Sequence, residues 1–132
     1  ERGLRVIMHS CGKMTAVIDD LIECDIDVLQ FDQPRLHGID LLADRFGGRV
    51  TFWCPVDIQR TLQTRDPEQI RAEARLMIKR LGGFGGGFIA GRYPQDEALG
   101  LPPDYQDLAS DAFAEFGTYQ QAPSARQGRP GA

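Results

Sequence analysis

An α/β fold built on a parallel sheet is predicted for this chain, and three observations predict it. Four apolar runs are each followed by a segment of helical period. The links between them are short, and the runs are apolar throughout instead of alternating. Parallel strands need helical crossovers and are covered on both faces, which gives this pattern.

The first repeat opens with "LRVIMH" at 4–9, read as a strand buried on both faces. In "CGKMTAVIDDLIEC" the period changes. Met14, Val17, Ile18, Leu21 and Ile22 fall at i, i+3, i+4, i+7 and i+8, the stripe of an amphipathic helix that packs on a core. "DVLQF" at 27–31 is the second strand, and the following helix carries Leu36, Ile39, Leu42 and Phe46 and stops at Gly47 and Gly48. His37, within or just before that helix, is expected to face solvent as an ordinary polar residue.

"RVTFWC" at 49–54 is the third strand. Its helix has the clearest start, because Asp66 suits the cap, Pro67 the first helical position and Gln69 the capping-box position. Ile70, Ala74, Met77, Ile78 and Leu81 make its stripe, and Gly82 and Gly83 end it. The glycines of "GGFGGGF" lack the Lys-Ser/Thr of a phosphate loop and precede a strand, so they read as a terminator and connector. "GFIAG" at 87–91 is the fourth strand, and a last helix at about 104–116 would bury Tyr105, Leu108, Ala112 and Phe116. Residues 1–118 are therefore expected to form one domain, and the tail 119–132, poor in apolar residues, to be disordered.

Composition excludes several classes. Fifteen basic and nineteen acidic residues give a net charge of −4 with no basic patch, so nucleic acid is not an expected partner. No apolar stretch reaches the roughly 20 residues of a membrane span, and no signal-peptide pattern opens the chain, so no membrane association and a cytoplasmic setting are expected. Three widely spaced cysteines, Cys11, Cys24 and Cys54, are not a disulfide framework.

Two architectures compete: an open doubly wound sheet, or part of a (β/α)8 barrel. A whole barrel takes about 250 residues, so four units are half of one. Polar residues favour the barrel. His9 and Cys11, Asp32 and Gln33, Cys54 and Asp57, and Arg92 and Tyr93 lie at the C-terminal ends of all four strands, the rim where barrel enzymes do their chemistry. His9 and Cys11, two residues apart in an extended segment, project the same way and are candidate ligands or catalytic groups.

The blocks "HSCGKMTAVIDDLIECDIDVLQFDQP", "RFGGRVTFWCPVDIQRTLQTRDPEQIRAEARLMIKRL" and "GGGFIAG", in this order and spacing, resemble the C-terminal half of the uroporphyrinogen decarboxylase superfamily from residue 4 to about 116. The resemblance implies the last four βα units of a TIM (β/α)8 barrel, completed by a missing N-terminal half. It implies either a cofactor-free decarboxylase (a lyase of porphyrin biosynthesis acting on a porphyrinogen) or a corrinoid-linked methyltransferase that uses zinc to activate a thiol acceptor. In the methyltransferases a His-x-Cys pair at this strand end, matched by His9 and Cys11, binds zinc with a cysteine from the last strand. Here the last strand reads "IAGRYPQ" and offers neither that cysteine nor the histidine common in the decarboxylases. "CPVD" stands where Gly-Asn-x-Asp is usual, so Asp57 matches and Cys54 and Pro55 depart. Asp25 takes a position where glycine is common, which Asp tolerates because it accepts left-handed backbone angles.

Catalytic zinc wants three protein ligands and an open position, and Cys54, two strands along, is the candidate third; its plainer reading is a small buried hydrophobe. Asp32 and Asp57 would hydrogen-bond a polar substrate or cap loops, and Arg92 would pair with a substrate carboxylate or lie on the surface. These three are the candidate catalytic residues, with Gln33, Gln59 and Tyr93 as candidate substrate contacts. A chain with half a barrel is expected to be inactive alone, and a non-catalytic fragment that pairs with another chain through its free sheet edges is the alternative.

Overall fold

The computed structural model describes residues 3–118; the predicted tail lies outside them. Four strands alternate with helices: β1 (Ile7–His9), α1 (Ile18–Glu23), β2 (Val28–Gln30), α2 (Pro34–His37), α3 (Ile39–Phe46), β3 (Thr51–Cys54), α4 (Pro67–Leu81), β4 (Phe88–Ala90) and α5 (Asp104–Phe116). The strands pair in parallel in the order β1-β2-β3-β4. The protein is thus mixed α/β around a four-stranded parallel sheet, as the strand–helix repeats predict.

Register sorts the side chains into two faces. Leu29 pairs with Phe52 and Phe52 with Phe88, and this row, with Phe31 and Cys54 one step on, packs in a single cluster with Ile18, Leu42, Phe46, Ile70, Ala74, Met77, Leu81, Ala112 and Phe113 of the helices. The opposite row, His9–Gln30–Trp53–Ile89, takes no part in that cluster. Val28, also on that side, is buried yet stands apart from the core. Burial along β3 alternates accordingly, Thr51 and Trp53 half-buried, Phe52 and Cys54 fully buried.

This corrects one expectation. β1 is not buried on both faces: Leu4 and Val6 are exposed before it, and Ile7 keeps 54% of its surface. β1 lies at the sheet edge with no further strand beside it, and Ile7 shares the side of His9, which has no helical layer, while Met8 alone of the run packs on the core; the composition of 4–9 carries no sign of this difference.

The helices follow their sequence signals closely. Asp66 caps α4, its Oδ1 accepting from the Glu68 N–H at 3.0 Å, with Pro67 first in the helix. Gln69 donates to the Asp66 Oδ2 at 2.8 Å, so the capping-box partner braces the cap through its side chain. Asp25 takes the left-handed φ of 61° expected of it. The second predicted helix is two: Gly38, at φ 85°, ψ 116°, separates α2 from α3, a conformation that costs glycine little and other residues much. α5 spans 104–116 as predicted, but its inward face is rotated, with Gln106, Ala109, Ala112 and Phe113 buried and Tyr105, Leu108 and Phe116 half-buried at the margin. Val17, placed in the first stripe by its spacing, is exposed. It sits in a 3-10 turn (Thr15–Val17) whose tighter winding turns it off the α-helical face.

Candidate functional site

Parallel pairing brings the C-terminal ends of all four strands to one edge of the sheet, so His9, Gln30, Cys54 and Ala90 close their strands side by side. The predicted rim residues divide there into three groups with different chemistry.

The first group faces the uncovered side. The Ser10 N–H donates to the Gln30 carbonyl at 3.2 Å, continuing the ladder and holding His9 beside Gln30. Gln30 Oε1 lies against His9 Nδ1, and Gln30 Nε2 donates to Asp32 Oδ1 at 2.8 Å. On the other side of the ring, His9 Nε2 meets Cys11 Sγ at 3.4 Å. His9 and Cys11 do share a face, and Asp32 joins them through Gln30. Gln30 itself has no place among the sequence-predicted site residues. Its signal was available, since Gln30 and Asp32 are two apart in an extended segment and share a face.

The second group is a buried carboxylate tie. Asp57, 1% exposed, accepts from three backbone N–H groups: Arg35 at 3.0 Å on Oδ2, and Gln59 at 3.0 Å and Arg60 at 2.8 Å on Oδ1. Glu73, buried on α4, accepts from the Asp57 N–H at 2.8 Å, from the Thr61 hydroxyl at 2.5 Å and from the Arg35 guanidinium at 3.0 Å. A buried carboxylate that accepts from three backbone donors is a staple for the loop between β3 and α4, and its burial keeps it from a ligand at the rim. The loop-capping reading of Asp57 is the one the geometry supports. Gln59 is exposed just beyond it and Gln33 is half-buried ahead of α2, with no side-chain cap to that helix.

The third group belongs to the fourth strand. Arg92 pairs with Asp107 at 2.5 Å and Asp96 at 3.1 Å, so its guanidinium is already matched by two carboxylates. Gln106, buried on α5, accepts from the Tyr93 N–H and donates to the Tyr93 carbonyl, each at 2.9 Å, and donates to Asp96 at 2.6 Å. The Gln106 amide, seconded by Arg92, holds the Asp96 carboxyl below its usual range. Gln106 is a second residue absent from the sequence prediction, hidden by the rotation of α5.

Cys54 does not join His9 and Cys11. One residue past Trp53, it points to the helix side, fully buried in the core, and burial pushes its thiol up to about 12. Its role is that of a small hydrophobe, and among the described residues no three His, Cys, Asp or Glu side chains gather as a metal-binding group. His37 corrects a further expectation. It is 4% exposed, stacked on Phe31 with ring centroids 4.2 Å apart, and bonded through Nδ1 to the Thr15 hydroxyl at 3.0 Å. The break at Gly38 turns it inward from the position that a continuous helix would give it. Its Nε2 is buried without a partner. Burial, with Lys13 nearby, lowers its pKa from 6.5.

A hollow of about 950 Å³ opens at the opposite, N-terminal end of the strands, among Arg5, Asp27, Arg49 and Phe84. Among the described residues no helix is long and apolar enough to cross a membrane. No family model matches the chain, and no curated protein matches it.

Two outcomes follow from these contacts. Asp57→Ala leaves the backbone N–H groups of Arg35, Gln59 and Arg60 without their acceptor, and urea unfolding is expected to register a loss of about 3 kcal/mol; a change below ~1 kcal/mol would free Asp57 for a ligand-binding role. The pKa of His37 is lower in the folded than in the unfolded chain, so as the pH drops below 6.5 the unfolded chain takes up the proton first and stability decreases, levelling off once the pH is below the folded-state value. Urea midpoints measured across that range should fall for the wild type relative to His37→Leu; parallel curves would contradict the assignment.

Proposed function

We propose that this chain is the C-terminal half of a (β/α)8 barrel enzyme of the uroporphyrinogen decarboxylase superfamily, on the zinc-dependent methyltransferase side, with the uncovered sheet face as barrel interior. The observation that carries the reading is the His9–Cys11 pair, imidazole against thiol at 3.4 Å, at the C-terminal end of that face. Sequential strand order with helices on one side supports the half barrel, since a doubly wound sheet reverses its strand order and is covered on both sides.

The donor chemistry of the pair suits zinc, which prefers thiolate sulfur and imidazole nitrogen. The described residues supply two of the three protein ligands a catalytic site needs, because Cys54 lies in the core. The third ligand is therefore assigned to residues outside this sheet, as are the remaining walls of the cavity. Bound there, zinc would supply positive charge that lowers the pKa of an acceptor thiol. The chain's own residues have simpler tasks. His9 and Cys11 hold the metal, Gln30 and Asp32 orient His9, and Trp53 and Ile89 give the substrate an apolar wall on the same face. A methyl-corrinoid donor and a small thiol acceptor are the partners this chemistry asks for. The decarboxylase reading has less support, because the cation it would use for a substrate carboxylate, Arg92, is paired with Asp96 and Asp107.

Cobalt(II), a coloured substitute for zinc, tests this on the 132-residue chain. A thiolate-to-metal band is expected in the wild type and in Cys54→Ser, and its loss in Cys11→Ser and His9→Ala. A band that survives both Cys11→Ser and His9→Ala, or that vanishes only in Cys54→Ser, would overturn the metal assignment. Metal-free protein that turns over a porphyrinogen would speak for the lyase branch.

A further inference from the structure

We propose that Asp32, acting through the Gln30 amide, is a positioning residue that fixes whether Nε2, the ring nitrogen of His9 that faces Cys11, carries a lone pair or a hydrogen. The inference deepens the proposed metal and thiol site, and rests on that reading only for its effect on metal binding. The hydrogen-bond directions stand independently of it.

The direction is set from the far end. An ionised carboxylate only accepts hydrogen bonds, so the Gln30 group 2.8 Å from Asp32 Oδ1 has to be the NH2. The same amide then turns its carbonyl oxygen, also an acceptor, to His9 Nδ1. Nδ1 must therefore carry the ring hydrogen, and in the neutral imidazole Nε2 is left with its lone pair. That lone pair lies 3.4 Å from Cys11 Sγ. Turning the Gln30 amide over would set carbonyl against carboxylate at one end and NH2 against Nδ1 at the other, which places the hydrogen on Nε2 and blocks it as acceptor or ligand. Asp32 thus decides, two side chains away, whether His9 offers Cys11 a lone pair or a hydrogen.

The backbone makes the relay rigid. Gln30 is His9's partner in the parallel register, the Ser10–Gln30 bond follows it, and Gln30 and Asp32 are on the same side of one extended segment. Outer partners of this kind hold the ring of a metal-binding histidine in the required tautomer, and their loss commonly costs about 10- to 100-fold in metal affinity.

Nitrogen-15 NMR of the ring reads the tautomer directly, and there are two histidines in the chain, so a His37→Phe sample assigns them. The wild type is expected to show the hydrogen on His9 Nδ1. Gln30→Leu and Asp32→Asn, both on half-buried positions of the uncovered side, should shift His9 to a mixture of tautomers. Zinc affinity of Gln30→Leu should fall about 10- to 100-fold. A wild type with the hydrogen on Nε2, or variants whose tautomer is unmoved, would overturn the proposal. The expected tautomers in a chain that binds no zinc would instead leave the relay standing and sink the metal reading.

Discussion

The one-sided core of this protein follows from its unreversed strand order together with the right-handedness of parallel crossovers. Parallel strands joined in sequence by right-handed connections put each connecting helix on the same side of the sheet when the strand order never reverses. The observed order is β1-β2-β3-β4 without reversal, and the helices and the Leu29, Phe31, Phe52, Cys54 side of the sheet form one core. The other side is left without a helical layer. Strand alternation then assigns each residue its fate: one position along β3 separates Cys54, sealed in the core, from Trp53, on the open side.

Magnitudes distinguish the carboxylates. Asp57 and Glu73 are both buried, and a buried charge is tolerable only when its oxygens are filled; backbone donors, Thr61 and Arg35 fill them. Hydrogen bonds to a buried charge are worth about 1.5 to 3 kcal/mol each, so this tie dominates the stability of the loop from Asp57 to Thr61. The ion pairs of Arg92 are solvated and contribute far less. Asp32 differs from both sets: it is half-buried and accepts from a side-chain amide, Gln30, on the open side of the sheet. Only this last kind of placement leaves chemistry at the rim.

Much of the fold was legible because its determinants are local. The Asp66–Pro67 start of α4, the glycines after it and the limits of α5 are carried by capping and periodicity, which act within a few residues. What was not legible depends on neighbours distant in sequence. An apolar run such as 4–9 looks the same whether both its faces are covered or one, and the difference lies in β2 and in what covers the sheet. His37 was misread because a single glycine, Gly38, breaks the helix whose continuation would have turned it outward. At the site, the i, i+2 spacing of His9 and Cys11 was readable from extended geometry, whereas the exclusion of Cys54 required knowing which face of β3 the helices occupy. Gln30 is not legible in the sequence for a chemical reason. Amides are common on strands, and only the register with His9 gives this one a task.

The uncovered side of the sheet can be observed through Trp53, the single tryptophan of the chain. Acrylamide quenching of its fluorescence in the folded chain is the most direct measurement. A ring on a face without a helical layer should be quenched readily, with red-shifted emission, while the fold stays intact by circular dichroism. Blue-shifted emission that resists quenching in a monomeric chain would mean that the face is packed, and would contradict the one-sided core from which the site is built.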